Sequence, residues 1–202
     1  MNSIKIPLTN LLPSRGIVFF VENFFSTKES KNYFSSLQKE IMWDQKHIVL
    51  FGKRVLQPRL TAWYGDNDKS YRYSGVTLTP TPWTKNLLEI KHKIESTYTY
   101  GSWKFTSVLL NQYRNGQDSM GWHRDNEKEL GLNPTIASIS LGATRKFLLR
   151  DREKKEKPIA INLPSGSLVI MAGETQKFWE HCIPKTTQEV GSRINLTFRN
   201  II

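Results

Sequence analysis

Arg193-Ile194-Asn195-Leu196-Thr197-Phe198-Arg199 alternates without a break: Arg193, Asn195, Thr197 and Arg199 fall on one side and Ile194, Leu196 and Phe198 on the other. That is the period of a β-strand. Both faces of such a strand are committed. A face with two guanidiniums is expensive to bury unless anions or polar partners satisfy it, and two arginines suit a dicarboxylate. Two readings stay open at this point: a polar face turned into a closed sheet around an anion, or an outward, solvated face over an apolar core. From Lys104 onward the chain consists of short β runs separated by polar turns, with no long helix. The runs Phe105–Tyr113, Ile136–Leu141, Lys146–Arg150, Ile159–Leu163, Ser167–Met171 and Arg193–Arg199 predict a barrel or sandwich. The alternating-sign run from Asp151 to Lys157 reads as a solvated hairpin end.

The upstream half mixes strands with helices. Ile17 to Phe25 reads as a strand, and Ser26 with Glu29 three residues on forms a capping box that opens a helix to about Ile41. Gly52 between β-prone runs marks a hairpin tip carrying Phe51, Lys53 and Arg54. Leu60–Tyr64 reads as a strand, Gly65 to Asp68 as a turn and Tyr71–Val76 as an aromatic strand. Thr81-Pro82 reads as an N-cap and first-turn proline for a helix over about Trp83–Glu95.

The chain has 202 residues, enough for one domain with a sizeable core. Twenty-nine Lys and Arg against 18 Asp and Glu leave a net charge of +11, which puts a polyanion first among partners. An aromatic content of 11% with six Trp excludes a disordered basic tail. One cysteine, Cys182, makes no internal disulfide, so a reducing, intracellular setting is expected. The apolar run Ile17–Val21 is too short to span a bilayer, and no membrane partner is expected.

Trp122-His123-Arg124-Asp125 holds the chemistry. In an extended chain His123 and Asp125 share a face, a chelating arrangement that needs a third ligand. Of the other histidines, His92 reads as a solvated helix residue and His47 as a hairpin flank. His181, near the start of a predicted loop, would complete two His and one carboxylate, the facial set used for non-haem Fe(II) and oxygen. Taken alone, His181 reads more simply as a hydrogen-bonded loop histidine. Asn111 and Tyr113 share a face just upstream of the His-x-Asp and are placed to hydrogen-bond carboxylates. No Ser-His-Asp or reactive-cysteine arrangement stands out.

Asn111-x-Tyr113, Gly116, Asp118, His123-x-Asp125, His181 twelve positions before Arg193, and the Arg193–Arg199 strand together resemble the AlkB family of Fe(II)/2-oxoglutarate-dependent nucleic-acid dealkylases. Pro58-Arg59-Leu60-Thr61-Ala62-Trp63-Tyr64-Gly65, Tyr71-Arg72-Tyr73-Ser74-Gly75 and Ala137 to Arg145 are similar to the subgroup that includes the animal double-strand and single-strand DNA repair members. The resemblance covers roughly Ile17 to Ile202. It implies an α+β, mainly β fold: a double-stranded β-helix (jelly-roll) core with N-terminal helices and a nucleotide-recognition hairpin lid. As a single domain, 17–103 would be the N-terminal extension and lid, and 104–202 the dioxygenase core. By this likeness His123, Asp125 and His181 bind Fe(II), while Asn111, Tyr113, Arg193, Asn195, Thr197 and Arg199 hold 2-oxoglutarate, with O2 as cosubstrate. Phe51, Gly52, Lys53, Arg59, Tyr71, Arg72, Tyr73, Asn126 and Glu127 would contact substrate. Phe51 would act as the wedge that replaces an extruded base, and Tyr71 or Tyr73 would stack on it opposite His123.

The activity so implied is oxidative demethylation of 1-methyladenine- and 3-methylcytosine-type bases in DNA, and in RNA as a further candidate, releasing formaldehyde and succinate. The partner is single- or double-stranded nucleic acid bound by a monomer, in the cytoplasm of a bacterium or alternatively in a nucleus. Two competing readings are an iron and 2-oxoglutarate enzyme acting on protein or a metabolite, and a basic nucleic-acid-binding β domain without catalysis, its polar faces solvated.

Overall fold

The computed structural model describes residues 9–50, 52–69, 71–73, 76–97 and 103–202; for Leu50, Tyr71–Tyr73 and Val76–Leu78 it describes the backbone alone. Strand β1 (Ile17–Val21) stops short of the expected Phe25, because only those five residues find partners in a neighbouring strand. Helix α1 (Thr27–Glu40) begins at the expected capping box: the Glu29 amide donates to Ser26 Oγ at 3.3 Å and the Ser26 amide to Glu29 Oε2 at 2.8 Å. A hairpin follows, β2 (His47–Leu50) with β3 (Lys53–Leu56), and Gly52 at its tip takes φ +75°, a left-handed conformation that favours glycine. Next come β4 (Leu60–Gly65), a small antiparallel pair β5 (Tyr71–Tyr73) and β6 (Val76–Leu78), and β7 (Thr81–Pro82). The expected aromatic strand Tyr71–Val76 is therefore two strands.

Thr81-Pro82 does not open a helix. It runs parallel to the end of β4, and Trp83 is held by a 2.7 Å hydrogen bond from its indole N–H to Asp66 Oδ1. Helix α2 (Lys85–Thr97) starts two residues later than expected, where the Leu87 amide donates to Thr84 Oγ1 at 3.3 Å.

The remaining strands are β8 (Ser107–Tyr113), β9 (Met120–His123), β10 (Ile136–Gly142), β11 (Arg145–Asp151), β12 (Ile159–Leu163), β13 (Ser167–Ala172), β14 (Trp179–Ile183) and β15 (Arg193–Arg199), with a single turn α3 (Thr175–Phe178) before β14. They sort into a seven-stranded sheet, β1-β13-β10-β15-β8-β4-β7, and a four-stranded sheet, β12-β11-β14-β9. From β8 to β15 the chain passes back and forth between the two sheets. This is the double-stranded β-helix, or jelly roll. Strands β1, β4 and β7 extend the larger sheet, so residues upstream of 104 are built into the barrel wall as well as around it.

The larger sheet is buried on both sides. Its outer face, including Leu110, Ile139, Ile194, Leu196 and Phe198, packs under α1 and α2 through Leu37, Ile41, Leu87, Ile90 and Ile94. Its inner face meets the smaller sheet across Ile136, Phe147, Leu149, Leu163 and Val169. Residues 152–158 between β11 and β12 are exposed as expected. Asp151 is a correction: it is buried and held by Arg15 Nη2 at 2.6 Å.

Candidate active site

Strands β9 and β14 are neighbours, and His123 and His181 stand directly opposite each other in the ladder. The loop expected around His181 is thus a strand. That pairing brings the two rings to 4.2 Å between centroids. Asp125 follows two residues beyond His123. Its carboxylate oxygens each lie 4.0 Å from a histidine Nε2, Oδ1 from His123 and Oδ2 from His181. These separations are too long for hydrogen bonds, yet one ligand atom from each residue falls within 4.8 Å of the others. Such spacing suits one cation bound at about 2 Å from each ligand.

The electrostatics agree with that use. Burial pushes the His181 imidazolium down to about 3, against the pull of Asp125, so the ring is neutral with a free lone pair. Burial opposes ionisation of Asp125, but the Arg199 guanidinium beside it outweighs that and keeps the carboxyl below its ordinary range. The ladder slips between His181 and Ile183, and there the Gly121 carbonyl sits 2.9 Å from His123 Nδ1. With Nδ1–H donating to that carbonyl, Nε2 is left bare towards Asp125.

Strand β15 forms the neighbouring wall. Its polar side lines the same cavity: Arg193, Asn195, Thr197 and Arg199 face it together with Asn111, Tyr113 and the three putting their ligand atoms together, His123, Asp125 and His181. The solvated alternative for this face is excluded, since Arg193, Asn195 and Thr197 are buried. The two arginines are not equivalent. Arg199 Nη2 pairs with Asp125 Oδ1 at 2.7 Å. Arg193, 1% exposed, has Ser140 Oγ at 2.8 Å and the Tyr113 ring at 5.1 Å, but its Nε and Nη1 have no partner. Burial lowers its pKa to about 10, with Tyr113 opposing, so it stays cationic at neutral pH. A buried guanidinium with two unused donors, in a cavity beside a carboxylate and two imidazoles, fits an anionic ligand that also reaches a metal. Both Fe(II) and 2-oxoglutarate fit the groups present.

Asn111 is orientated from behind. Arg59 Nε donates to Asn111 Oδ1 at 2.7 Å. Because a guanidinium only donates, the amide oxygen must face Arg59, and the NH2 is the end left for a ligand. Asn195 Nδ2 donates to Ser138 Oγ at 2.7 Å and the Ile139 carbonyl at 3.0 Å, and Thr197 Oγ1 donates to Asn195 Oδ1 at 3.1 Å. Arg145 donates to the carbonyls of Asn115, Asp118 and Pro184 and lies 5.7 Å from the Tyr113 ring.

None of the expected substrate contacts whose side chains are described lines this cavity. Asn126 and Glu127 are exposed just past Asp125, and Gly52 and Lys53 are exposed at the hairpin tip. Phe51 lies outside the described residues, as do the side chains of Tyr71, Arg72 and Tyr73. Arg59 is placed differently from the others: it is buried, and its hydrogen bonds run to Asn111 and the Ser119 carbonyl. Cys182 lines the cavity with its thiol pushed up to about 11 by burial, so it is a packed residue without thiolate character. The sequence reading assigned no role to Gln176, Arg145 or Gly121. Gln176 and Arg145 act through residues 27 to 51 positions away, and Gly121 through a main-chain carbonyl, neither of which a side-chain pattern signals.

A family model described as the 2OG-Fe(II) oxygenase superfamily matches residues 17–199. The chain is 40% identical over 187 residues to alpha-ketoglutarate-dependent dioxygenase alkB homolog 3 of Bos taurus, covering 88% of this chain and 64% of that one. It is 33% identical over 210 residues to DNA oxidative demethylase ALKBH2 of Mus musculus, covering 98% and 86%. The chain thus spans a little under two thirds of the length of its alkB homolog 3 relatives. A solved structure titled "The structure of OsALKBH1" superposes with a TM-score of 0.66 at 19% identity, over 96% of this chain and 100% of that one, and shares its fold. With the two-histidine, one-carboxylate cluster in the cavity of a jelly roll, these matches place the chain in the 2OG-Fe(II) oxygenase superfamily, as a member of its AlkB family.

Proposed function

We propose that this chain is an Fe(II)- and 2-oxoglutarate-dependent dioxygenase that demethylates bases of the 1-methyladenine and 3-methylcytosine type in DNA, with RNA as a second substrate class. One observation carries the reading: His123, Asp125 and His181 gather their ligand atoms within 4.8 Å, in a cavity that also holds the uncompensated Arg193 guanidinium. Iron, oxygen and 2-oxoglutarate together supply the oxidation of an N-methyl group when bound. The chain supplies the frame. His123, Asp125 and His181 are the metal ligands. Arg193, with Asn111, Tyr113, Asn195 and Thr197 around it, takes the cosubstrate, and Arg199 holds one oxygen of Asp125. Hydroxylation at the methyl carbon yields a hemiaminal that collapses to formaldehyde and the free base, so no protein nucleophile is required.

Substrate enters from the exposed side, past Asn126 and Glu127. A base inside a duplex must be flipped to reach the cavity, and Phe51 is the proposed wedge, with Tyr71 and Tyr73 as stacking partners. Residues 17–103 supply this lid together with the covering helices and three strands of the larger sheet, and 104–202 the rest of the oxygenase core of a single domain. The net charge of +11 supports a nucleic-acid partner, which the chain would bind as a monomer. The single, buried cysteine suits an intracellular setting, cytoplasmic or nuclear. The DNA oxidative demethylase name of the murine relative supports the substrate class.

Formaldehyde release from matched single- and double-stranded oligonucleotides bearing one 1-methyladenine tests the reading. Release should require Fe(II) and 2-oxoglutarate and vanish in His123→Ala. Phe51→Ala should lose more activity on duplex than on single strands; equal loss on both removes the wedge. Formaldehyde from His123→Ala at the wild-type rate refutes the assignment.

A further inference from the structure

Asp125 lies beyond the last hydrogen-bonded residue of β9, so the ladder does not fix its backbone. Its amide donates instead to Gln176 Oε1 at 3.0 Å, and both residues are buried, at 3% and 2% exposure. Arg124 Nη1 reaches the main-chain carbonyl of the same Gln176 at 3.5 Å. Two consecutive residues of the His-x-Asp segment are therefore tied to one residue of α3, 51 positions away. On its other end Gln176 Nε2 contacts Met171 Sδ at 3.5 Å, and Met171 itself lines the cavity.

The turn that carries Gln176 is bolted in place. Thr175 Oγ1 accepts from the Ile17 amide at 2.9 Å, and it lies 3.0 Å from the Ile17 carbonyl and 2.6 Å from the Ala172 carbonyl. Gly16, at φ +125°, approaches so closely that an added Cβ would sit 2.7 Å from Thr175 Oγ1 and 2.8 Å from its Cα. Arg15 stacks over Phe178 at 4.5 Å. A four-residue turn braced from three sides is a rigid mount for one amide oxygen.

We propose that Gln176 is a positioning residue for the metal site: its side-chain oxygen fixes the backbone of Asp125 and so the direction in which the carboxylate meets the ion. Without that acceptor the Asp125 amide is a buried donor with no partner, and the segment must shift to satisfy it. Arg199 holds the carboxylate from one side only and cannot set the backbone. Outer partners of this kind typically hold about 10–100-fold in metal affinity.

The inference rests on the metal reading above, and the test separates the two. Co(II) is titrated into the metal-free full chain by calorimetry, for wild type, His123→Ala, Gln176→Met and Gln176→Glu, with the melting temperature of each metal-free protein. Methionine keeps the shape and removes the acceptor; glutamate keeps an acceptor at the same atom. The expected result is about 10–100-fold weaker Co(II) binding in Gln176→Met, and affinity restored close to wild type in Gln176→Glu. Wild-type affinity in Gln176→Met overturns the inference while leaving the metal site intact. Equal weakening in both variants with a common fall in melting temperature also overturns it, as a merely structural role. Wild type that binds Co(II) no better than His123→Ala overturns both this inference and the metal reading.

Discussion

Arg193 is the largest side chain that the fold buries almost completely, and no carboxylate among the described residues pairs with it. Burial lowers its pKa from 12.5 to about 10. At 1.36 kcal/mol per unit, keeping it charged costs the ligand-free protein roughly 3 kcal/mol. Arg193→Met should therefore raise the melting temperature of the ligand-free protein, by the equivalent of about 1–3 kcal/mol. The same change should abolish the extra thermal stabilisation that 2-oxoglutarate gives wild type in the presence of metal. Thermal unfolding with and without cosubstrate reads both effects, and a destabilised ligand-free variant would contradict this view of Arg193. Its neighbour Arg199 differs because Asp125 already compensates it. The sequence treats the two arginines alike; only the packing separates Arg199, paired with Asp125, from Arg193, which keeps two donors without a partner.

Elements were legible where their signal is local. The Ser26 and Glu29 capping box opens α1 as expected, and β15 covers the seven residues whose alternation announced it. Strand β14 is hidden from the sequence, and β9 is legible only as an extended His-x-Asp, for physical reasons. In β14, Trp179, His181, Cys182 and Ile183 are all buried, and Glu180 is held by Arg150 Nη2 at 2.7 Å across the ladder, so no period of two survives. In β9 the shifted register turns both Met120 and His123 to the cavity. Helix α2 lies two residues beyond its expected place because Thr81-Pro82 is recruited by β4, a contact that capping rules do not contain.

The α1 cap also carries a pH dependence. Hydrogen bonds from Ser26 and then Lys93 hold Glu29 at about 2, below the usual 4.5. Lys93 belongs to α2 and approaches to 2.9 Å, so this carboxylate joins the two helices over the larger sheet. Its folded value is depressed, so its contribution is complete above about 4.5 and is lost as pH falls towards 2. The difference in melting temperature between wild type and Glu29→Gln should be largest near neutral pH and shrink between pH 5 and pH 2. A difference independent of pH across that range would mean that the Glu29 charge contributes nothing.

At the scale of the whole molecule, two helices cover one sheet and leave the barrel interior to the site. The apolar side of β15 is spent on the helices, and its polar side is thereby turned inward. This explains how a strand with two arginines can sit in the middle of a buried sheet. The cluster of His123, Asp125 and His181 was legible because the chain has only four histidines, of which His47 and His92 are exposed and peripheral. The parts that brace it, Gln176 on Asp125, Arg59 on Asn111 and Arg145 behind Tyr113, join residues 27 to 52 positions apart or contact loops from several directions, and sequence spacing is blind to them. The most direct test of the site is optical. Under anaerobic conditions, Fe(II) and 2-oxoglutarate added together to the wild-type chain should give a visible charge-transfer band that saturates near one equivalent of metal and needs both additions. The band should be lost in His181→Ala and should require much more 2-oxoglutarate in Arg193→Met. No band in wild type, or an undiminished one in His181→Ala, would contradict a metal and a keto acid sharing this cavity.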